Sequence, residues 1–287
     1  MKVLVTGGSG FIGSHVVDKL IETGHSVKIL DLKEPQRGDV EYVKGNILER
    51  ETVKNSIRDV DFIYHFAAAS NIDLVKDNPL KTIEFNVMGT AYLLEEARHT
   101  NIQRFVLASS VFLHDKRGHL YTTSKLSSEM ICKDYNKLFS VPYTILRIGT
   151  AYGPRSRNAD VVSIFVEKAL RNEDLIIYGS GKQKRNFIYV EDIAFACTAI
   201  INENAKNKTF VIAGDDSITI EDLGNMVKEI VNPAIKIYFR PGEEREDDYL
   251  GEIADLGFAE RSIGWRPKVD ITSGIMKYKK WYQKQSL

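Results

Sequence analysis

Cysteine is scarce: Cys132 and Cys197 are the only two in 287 residues. Both fall in helix-like apolar patterns and read as buried free thiols, not as a disulfide framework. The six histidines are scattered, and no Cys/His cluster has metal-ligand spacing, so no metal site is expected. Net charge is absent as well. Lys+Arg and Asp+Glu both total 39, which leaves no global attraction for nucleic acid or anionic membrane. No apolar run approaches the roughly 20 residues that span a bilayer. The apolar start is cut by glycines with no cleavage site behind it, so it does not read as a signal peptide. These absences point to a folded protein of the cytoplasm, built as one large domain or two joined ones.

The residues that are present alternate in character. VLV (3–5), SVKIL (26–30), VEYV (40–43), DFIYHF (61–66), RFVLAS (104–109) and YTILRI (143–148) read as strands. Ile12, Val16, Val17 and Leu20 follow helical spacing, with Gly24 as a stop. Pro79 opens another helix with Leu80, Ile83, Val87, Ala91 and Leu94 on one stripe, and a third runs from about Tyr121 to Phe139. Nearly continuous apolar strands separated by helices predict an α/β fold, a doubly wound parallel sheet covered on both faces. After residue 148, glycine, proline and charge become frequent. The expected division is a dinucleotide-binding domain over 1–148 plus 187–213 and a smaller, loop-rich domain over 149–186 plus 214–287.

The first strand runs into TGGSGFIG, with glycines at Gly7, Gly10 and Gly13. Strand, three glycines and helix suit a dinucleotide: a tight turn, close approach to the pyrophosphate, and close helix–strand packing. Free N–H groups at the helix start then face the phosphates. Asp31 ends the second strand, where a carboxylate accepts hydrogen bonds from the adenosine ribose. It also repels a 2′-phosphate and favours NAD, although Lys33 and Arg37 nearby weaken that preference. YGSGKQKRN (178–186) is not a phosphate loop, because Ile177 stands where its first glycine belongs and no Ser or Thr follows Lys182.

Tyr121 and Lys125 lie four apart at a helix start and point the same way. A tyrosine acting as a base near pH 7 must shift by about 3 units, roughly 4 kcal/mol. An exposed cation at about 4 Å supplies only about 1 kcal/mol. The pair is therefore useful only in a desolvated pocket beside a second positive group. The same spacing at Tyr178 and Lys182 contains two glycines and reads as a loop.

VTGGSGFIG, DFIYHFAAAS, NVMGT, ASS, YTTSK, LRIGTAYGP, YGSGKQKRNFIYVEDI and the closing RPGEE…LGFAERSIGWRPK together resemble the extended short-chain dehydrogenase/reductases. Within these the chain is similar to the NAD-dependent epimerase/dehydratase group acting on nucleotide-diphosphate sugars. The resemblance runs nearly end to end and implies a Rossmann domain with a smaller C-terminal substrate domain. It implies that Gly7, Gly10, Phe11 and Ile12 line the pyrophosphate and that Asp31 and Leu32 border the adenosine ribose. Asn46, where the group usually has Asp, and Ile47 would border the adenine. Phe66, Ala67 and Ala68 would wall the nicotinamide half. Ser110, Tyr121 and Lys125 would be catalytic: Ser110 bonding the reacting sugar hydroxyl, Tyr121 removing its proton, Lys125 binding the nicotinamide ribose and lowering the tyrosine's pKa. Arg185 and Arg240 would grip the substrate diphosphate. Thr150 stands where Asn is usual near the same phosphates.

The residues after Ser110 narrow the reaction. Resembling dehydratases carry Asp-Glu there, decarboxylases a glutamate, and epimerase-reductases a Cys two positions on; here Val111 and Phe112 stand. The first expectation is 4-epimerisation, and the second is net 4-dehydrogenation or 4-ketoreduction. A non-catalytic NAD-binding sensor is a third class, and it would be expected to have lost Ser110, Tyr121 or Lys125. The loop VFLHDKRGHL is short for the group, with His114 and His119 read as surface histidines. Second apolar stripes at Phe85, Met88 and Tyr92, and at Ile131, Tyr135 and Leu138, predict a homodimer through four helices.

Overall fold

The computed structural model describes residues 1–69, 75, 77–114, 120–156, 160–241 and 255–285. All six strands expected from the first half form. These are β1 (Lys2–Thr6), β2 (Ser26–Asp31), β3 (Glu41–Lys44), β4 (Phe62–His65), β5 (Arg104–Ser110) and β6 (Tyr143–Ile148). With β11 (Lys208–Ile212) they make one seven-stranded sheet, ordered β11-β6-β5-β4-β1-β2-β3. Every pairing in it is parallel. All of β5 is buried, as a strand covered on both faces must be. The chain runs from β1 out to β2 and β3, then crosses back to place β4 on β1's other side. That reversal opens a crevice at the carboxyl ends of β1 and β4, where such sheets bind ligands.

Helix α1 (Phe11–Glu22) buries Val16, Val17 and Leu20 against the sheet. Burying Leu20 alone contributes roughly 2 kcal/mol. Gly24, at φ +83°, takes the left-handed conformation that ends the helix. The helix α2 (Arg50–Ile57) covers the opposite face through Val53 and Ile57.

The helix from Pro79 differs from its sequence pattern. It runs as α3 (Pro79–Ile83), a π-helical turn (Glu84–Met88) and α4 (Gly89–Ala97). Its first half buries Thr82, Asn86 and Thr90, while Leu80 is 74% and Ile83 39% exposed. Across the wider turn the stripe splits: Leu80 and Ile83 face outward, Leu94 is buried in the core, and Thr82, Asn86 and Thr90 are the buried polar positions. Of the second stripes, Phe85, Ile131 and Tyr135 pack against the core, whereas Met88 and Leu138 are exposed. The long α5 (Leu120–Phe139) forms as expected.

Beyond β6, three two-stranded pairs form. They are β7 (Thr150–Tyr152) with β10 (Phe187–Tyr189), β9 (Lys184–Arg185) with β12 (Ile218–Thr219), and β8 (Leu175–Tyr178) with β13 (Ile237–Arg240). Helices α6 (Val161–Leu170), α8 (Ile220–Val231) and α10 (Ile271–Gln285) surround a separate apolar core that includes Phe165, Leu223 and Ile275. Two segments cross the division drawn from sequence. Phe187 and Tyr189 belong to this second core, just before α7 (Val190–Ala199) packs beside α1. Helix α9 (Gly257–Ile263) packs against β11, and buried Trp265 donates to the Asp192 carbonyl at 3.1 Å. Among the described residues, no helix is long and apolar enough to cross a membrane.

Candidate active site

The glycine turn sits at the carboxyl end of β1, inside the crevice. Gly7 has φ +72°, and a Cβ there would lie 2.6 Å from the Ala67 nitrogen. A Cβ on Gly13 would land on the Gly7 carbonyl. These positions accept nothing larger, so backbone fills the space that side chains would take. Gly10 caps α1 with no side chain bonded to the helix start. The opening N–H groups at Phe11 and Ile12 thus have no side-chain cap, which is the condition for receiving a phosphate. The cradle fits a dinucleotide.

Asp31 is fixed above it. Its carboxylate accepts from the Ser9 and Lys33 backbone N–H groups, at 3.0 and 2.9 Å. Leu32 follows, 55% exposed. Asn46 Oδ1 accepts from Leu48 N–H at 3.0 Å, which leaves one lone pair for a further donor. Ile47 is buried beneath, touching the site where Gly89 has no side chain. On the β4 side, Phe66 N–H bonds the Thr6 carbonyl, and Ala67 N–H reaches Thr6 Oγ1. Ala68 continues this wall, half-buried.

The catalytic candidates meet at the end of β5. Lys125 is buried and donates through Nζ to the Ala108 carbonyl at 2.9 Å, two residues before Ser110. Ser110 Oγ, also buried, accepts from Phe112 N–H at 3.2 Å. Lys125 Nζ lies 5.9 Å from the centre of the Tyr121 ring. Burial pushes the Tyr121 phenol up to about 12 and the Lys125 ammonium down to about 8, with Glu129 pulling the latter back. In the protein alone, burial sets the direction of the Tyr121 shift. At this separation, desolvation outweighs the cation's field.

Two arrangements that sequence reasoning did not reach hold these groups. Thr6 Oγ1 lies 2.7 Å from His65 Nδ1, and His65 Nε2 lies 3.1 Å from Thr90 Oγ1. Since Thr90 donates to the Asn86 carbonyl, Nε2 carries the proton and Nδ1 accepts from Thr6. His65 is neutral: burial and then the nearby Lys125 charge lower it to about 3. Asn86 continues the chain, donating to Ser124 Oγ at 2.9 Å, and Ser124 donates to the Tyr121 carbonyl at 2.7 Å. One turn past Lys125, fully buried Glu129 accepts from Ser109 at 2.7 Å and from Arg147 at 2.9 and 2.8 Å. Ser109 and Arg147 face each other across β5 and β6, so one carboxylate pins α5 to both strands. The only available signal was polar residues at helical spacing, Thr82, Asn86 and Thr90, inside an otherwise apolar helix.

From the second core, Arg185 stacks 5.5 Å over the Phe112 ring, which places it beside the residue following Val111 at the catalytic strand's end. Arg240 is exposed and lies 5.9 Å from the ring of Tyr178, which is itself 47% exposed. Thr150 N–H bonds the Asn186 carbonyl at 3.0 Å at the start of β7. The structure thus brings Arg185 to Phe112, just past the end of β5, while Arg240 lies by Tyr178 and Thr150 is bonded to Asn186. Residues 115–119, His119 included, and the His114 side chain lie outside the described residues.

A profile of the NAD dependent epimerase/dehydratase family matches residues 3–213. A Methanocaldococcus jannaschii protein with the provisional name UDP-glucose 4-epimerase is 35% identical over 97% of this chain and 97% of its own. UDP-glucuronic acid decarboxylase 1 of Arabidopsis thaliana is 31% identical over 96% of this chain and 68% of that one. Among solved structures, UDP-glucose 4-epimerase of Thermotoga maritima with UDP-glucose superposes with a TM-score of 0.93 at 28% identity, covering both chains fully. The glycine cradle, the Asp31 carboxylate and the Ser110–Tyr121–Lys125 grouping thus coincide with end-to-end similarity, and the chain belongs to the NAD-dependent epimerase/dehydratase family of enzymes.

Proposed function

We propose that the enzyme carries out NAD-dependent oxidoreduction at C4 of a nucleotide-diphosphate sugar, with 4-epimerisation as the net reaction. The observation that carries this reading is the grouping of Ser110, Tyr121 and Lys125 about the end of β5. When bound, NAD supplies a hydride acceptor beside the sugar and a positive charge on its nicotinamide ring. Gly7, Gly10, Phe11 and Ile12 receive its pyrophosphate, Asp31 and Leu32 its adenosine ribose, Asn46 and Ile47 its adenine. Phe66, Ala67 and Ala68 flank the nicotinamide half. Ser110 orients the C4 hydroxyl, Tyr121 takes its proton, and Lys125 holds the nicotinamide ribose and a positive charge near the phenol. Bringing the phenol from about 12 toward neutral pH requires roughly 5 units, about 7 kcal/mol. Lys125, 5.9 Å from the ring centre, supplies part of this, and the coenzyme's positive ring adds to it.

Arg185 and Arg240 bind the diphosphate from the smaller domain, Thr150 lies at its entrance, and the exposed Tyr178 face offers a stacking surface for the base. Phe112, under Arg185, occupies the place near Ser110 where an acidic side chain would be needed for elimination or decarboxylation. An anchored diphosphate with a rotatable linkage allows both faces of the sugar to be presented, as a redox-neutral epimerisation demands. Net dehydrogenation or ketoreduction is the alternative, should the short loop after Ser110 leave the coenzyme exchangeable.

The outward face made by Leu80, Ile83, Met88, Leu126 and Met130 supports a homodimer through α3, α4 and α5. Two buried, unpaired thiols suit the cytoplasm as its compartment. The test of function is incubation with UDP-, GDP-, CDP- and dTDP-sugars, following reduced coenzyme and product identity together. Stereoisomer formation without accumulating NADH supports 4-epimerisation; stoichiometric NADH or release of carbon dioxide overturns it.

A further inference from the structure

The segment after Asp31 sets two charges against each other. The Asp31 carboxylate repels a 2′-phosphate, but Arg37 follows six residues on, and an arginine in this region is the usual acceptor of that phosphate. The structure shows how Arg37 is occupied. Its Nε and Nη2 donate to the two carboxylate oxygens of Asp39, at 2.8 and 2.6 Å. Its Nη1 donates to Asp18 Oδ1 at 3.0 Å. Asp18 projects from α1, the helix whose start forms the phosphate cradle, and it does not hang loose. Its other oxygen accepts from Arg155 Nη2 at 2.8 Å. Arg155 comes from the turn after β7 and has φ +69°, a conformation a non-glycine residue keeps only when its surroundings hold it.

The cluster is thus charge-balanced, with Arg37 and Arg155 facing Asp18 and Asp39. Three of the five guanidinium N–H groups of Arg37 are in use, including the bidentate edge that phosphate recognition employs. We propose that Asp18 and Asp39 are coenzyme-selectivity residues: they sequester Arg37, so that rejection of a 2′-phosphorylated dinucleotide rests on three carboxylates and not on Asp31 alone. This rests on the dinucleotide reading of the glycine cradle. A dianionic phosphate arriving here must displace two carboxylates from one cation and face their charge afterwards. Lys33, exposed and closer in sequence to Asp31, is a point charge without the planar fork. Arg37 is the latent phosphate receptor, and Asp39 is its lock. Asp39 is 61% exposed as a side chain, so its removal leaves the core untouched.

The test is equilibrium calorimetric titration of NAD and NADP into the full-length protein and its variants. The variants are Asp39→Asn, Asp31→Ser, Asp31→Ser with Asp39→Asn, and that double variant carrying either Arg37→Ala or Lys33→Ala. In the Asp31→Ser protein, adding Asp39→Asn should tighten NADP by about tenfold, the scale of one released bidentate guanidinium–phosphate contact. Arg37→Ala should abolish that gain, Lys33→Ala should leave most of it, and Asp39→Asn alone should keep the wild-type affinity for NAD. The proposal is overturned if Asp39→Asn adds no NADP affinity, if the gain survives Arg37→Ala, or if Asp39→Asn alone loses NAD. Titration of NAD into the wild-type protein runs alongside and reports on the dinucleotide site independently of the lock.

Discussion

In the proposed site, the turn at the end of β1 and the pair at the start of α5 work by opposite means. The turn is complete in its backbone: Gly7 and Gly13 leave no room for a side chain, and Asp31 is held by two main-chain donors. The Tyr121–Lys125 pair has its geometry in place and its chemistry unset. Burial raises the acid it must lose a proton from and weakens the cation beside it. A cradle made of sterics works as soon as the chain folds. In the proposed mechanism, a base made of electrostatics waits for the charge of a coenzyme held in the cradle.

The largest effect should come from the pair. Tyr121→Phe should reduce turnover by about 10²–10⁴-fold while coenzyme affinity, measured by titration, stays near wild type; parallel loss of both would mean the two regions are not separable. Next in size is the link between them. His65 titrates near 3 when folded against an ordinary 6.5, so its contribution is complete above pH 6.5 and is lost as pH falls toward 3. Between pH 6.5 and pH 4 this amounts to about 3 kcal/mol. His65→Gln, followed by urea denaturation across that range, should flatten the acid loss. An unchanged slope would show that His65 is not the group whose protonation opens the link.

The turn should then fail sterically. Gly13→Ala should cost about 1–3 kcal/mol in stability and weaken NAD binding, read by thermal unfolding with and without coenzyme. A variant with unchanged coenzyme-induced stabilisation would show that the close packing at this turn is dispensable. The smallest effect concerns a residue reaching the end of β5 from the second core. Arg185→Lys should raise KM about tenfold through loss of bidentate contact, with kcat nearly unchanged; a fall confined to kcat would place Arg185 in the chemistry instead.

The same contrast explains which features were legible in the chain. Six strands follow from six apolar runs, and the cradle is a local spacing of glycines with Asp31 at the next strand's end. Tyr121 and Lys125 are likewise neighbours on one helix. The holding groups are not local. Thr6, His65 and Thr90 meet only after β1, β4 and α4 assemble, and Glu129 meets Arg147 only across two paired strands. The helix from Pro79 misled because an apolar stripe implies an inward face, yet beside a polar site the inward positions are Thr82, Asn86 and Thr90. The need for a desolvated pocket and a second positive group around Tyr121 was legible from the size of the required shift, whereas the depth at which both side chains are buried was not.

That state can be measured directly. Tyr121 labelled as a fluorotyrosine and titrated by ¹⁹F NMR, with and without saturating NAD, should show a phenol whose midpoint in the protein alone lies above that of free fluorotyrosine, because burial disfavours the phenolate. With NAD bound, its midpoint should move several units toward neutrality. Identical midpoints in the two titrations would contradict a base whose acidity is completed by the coenzyme.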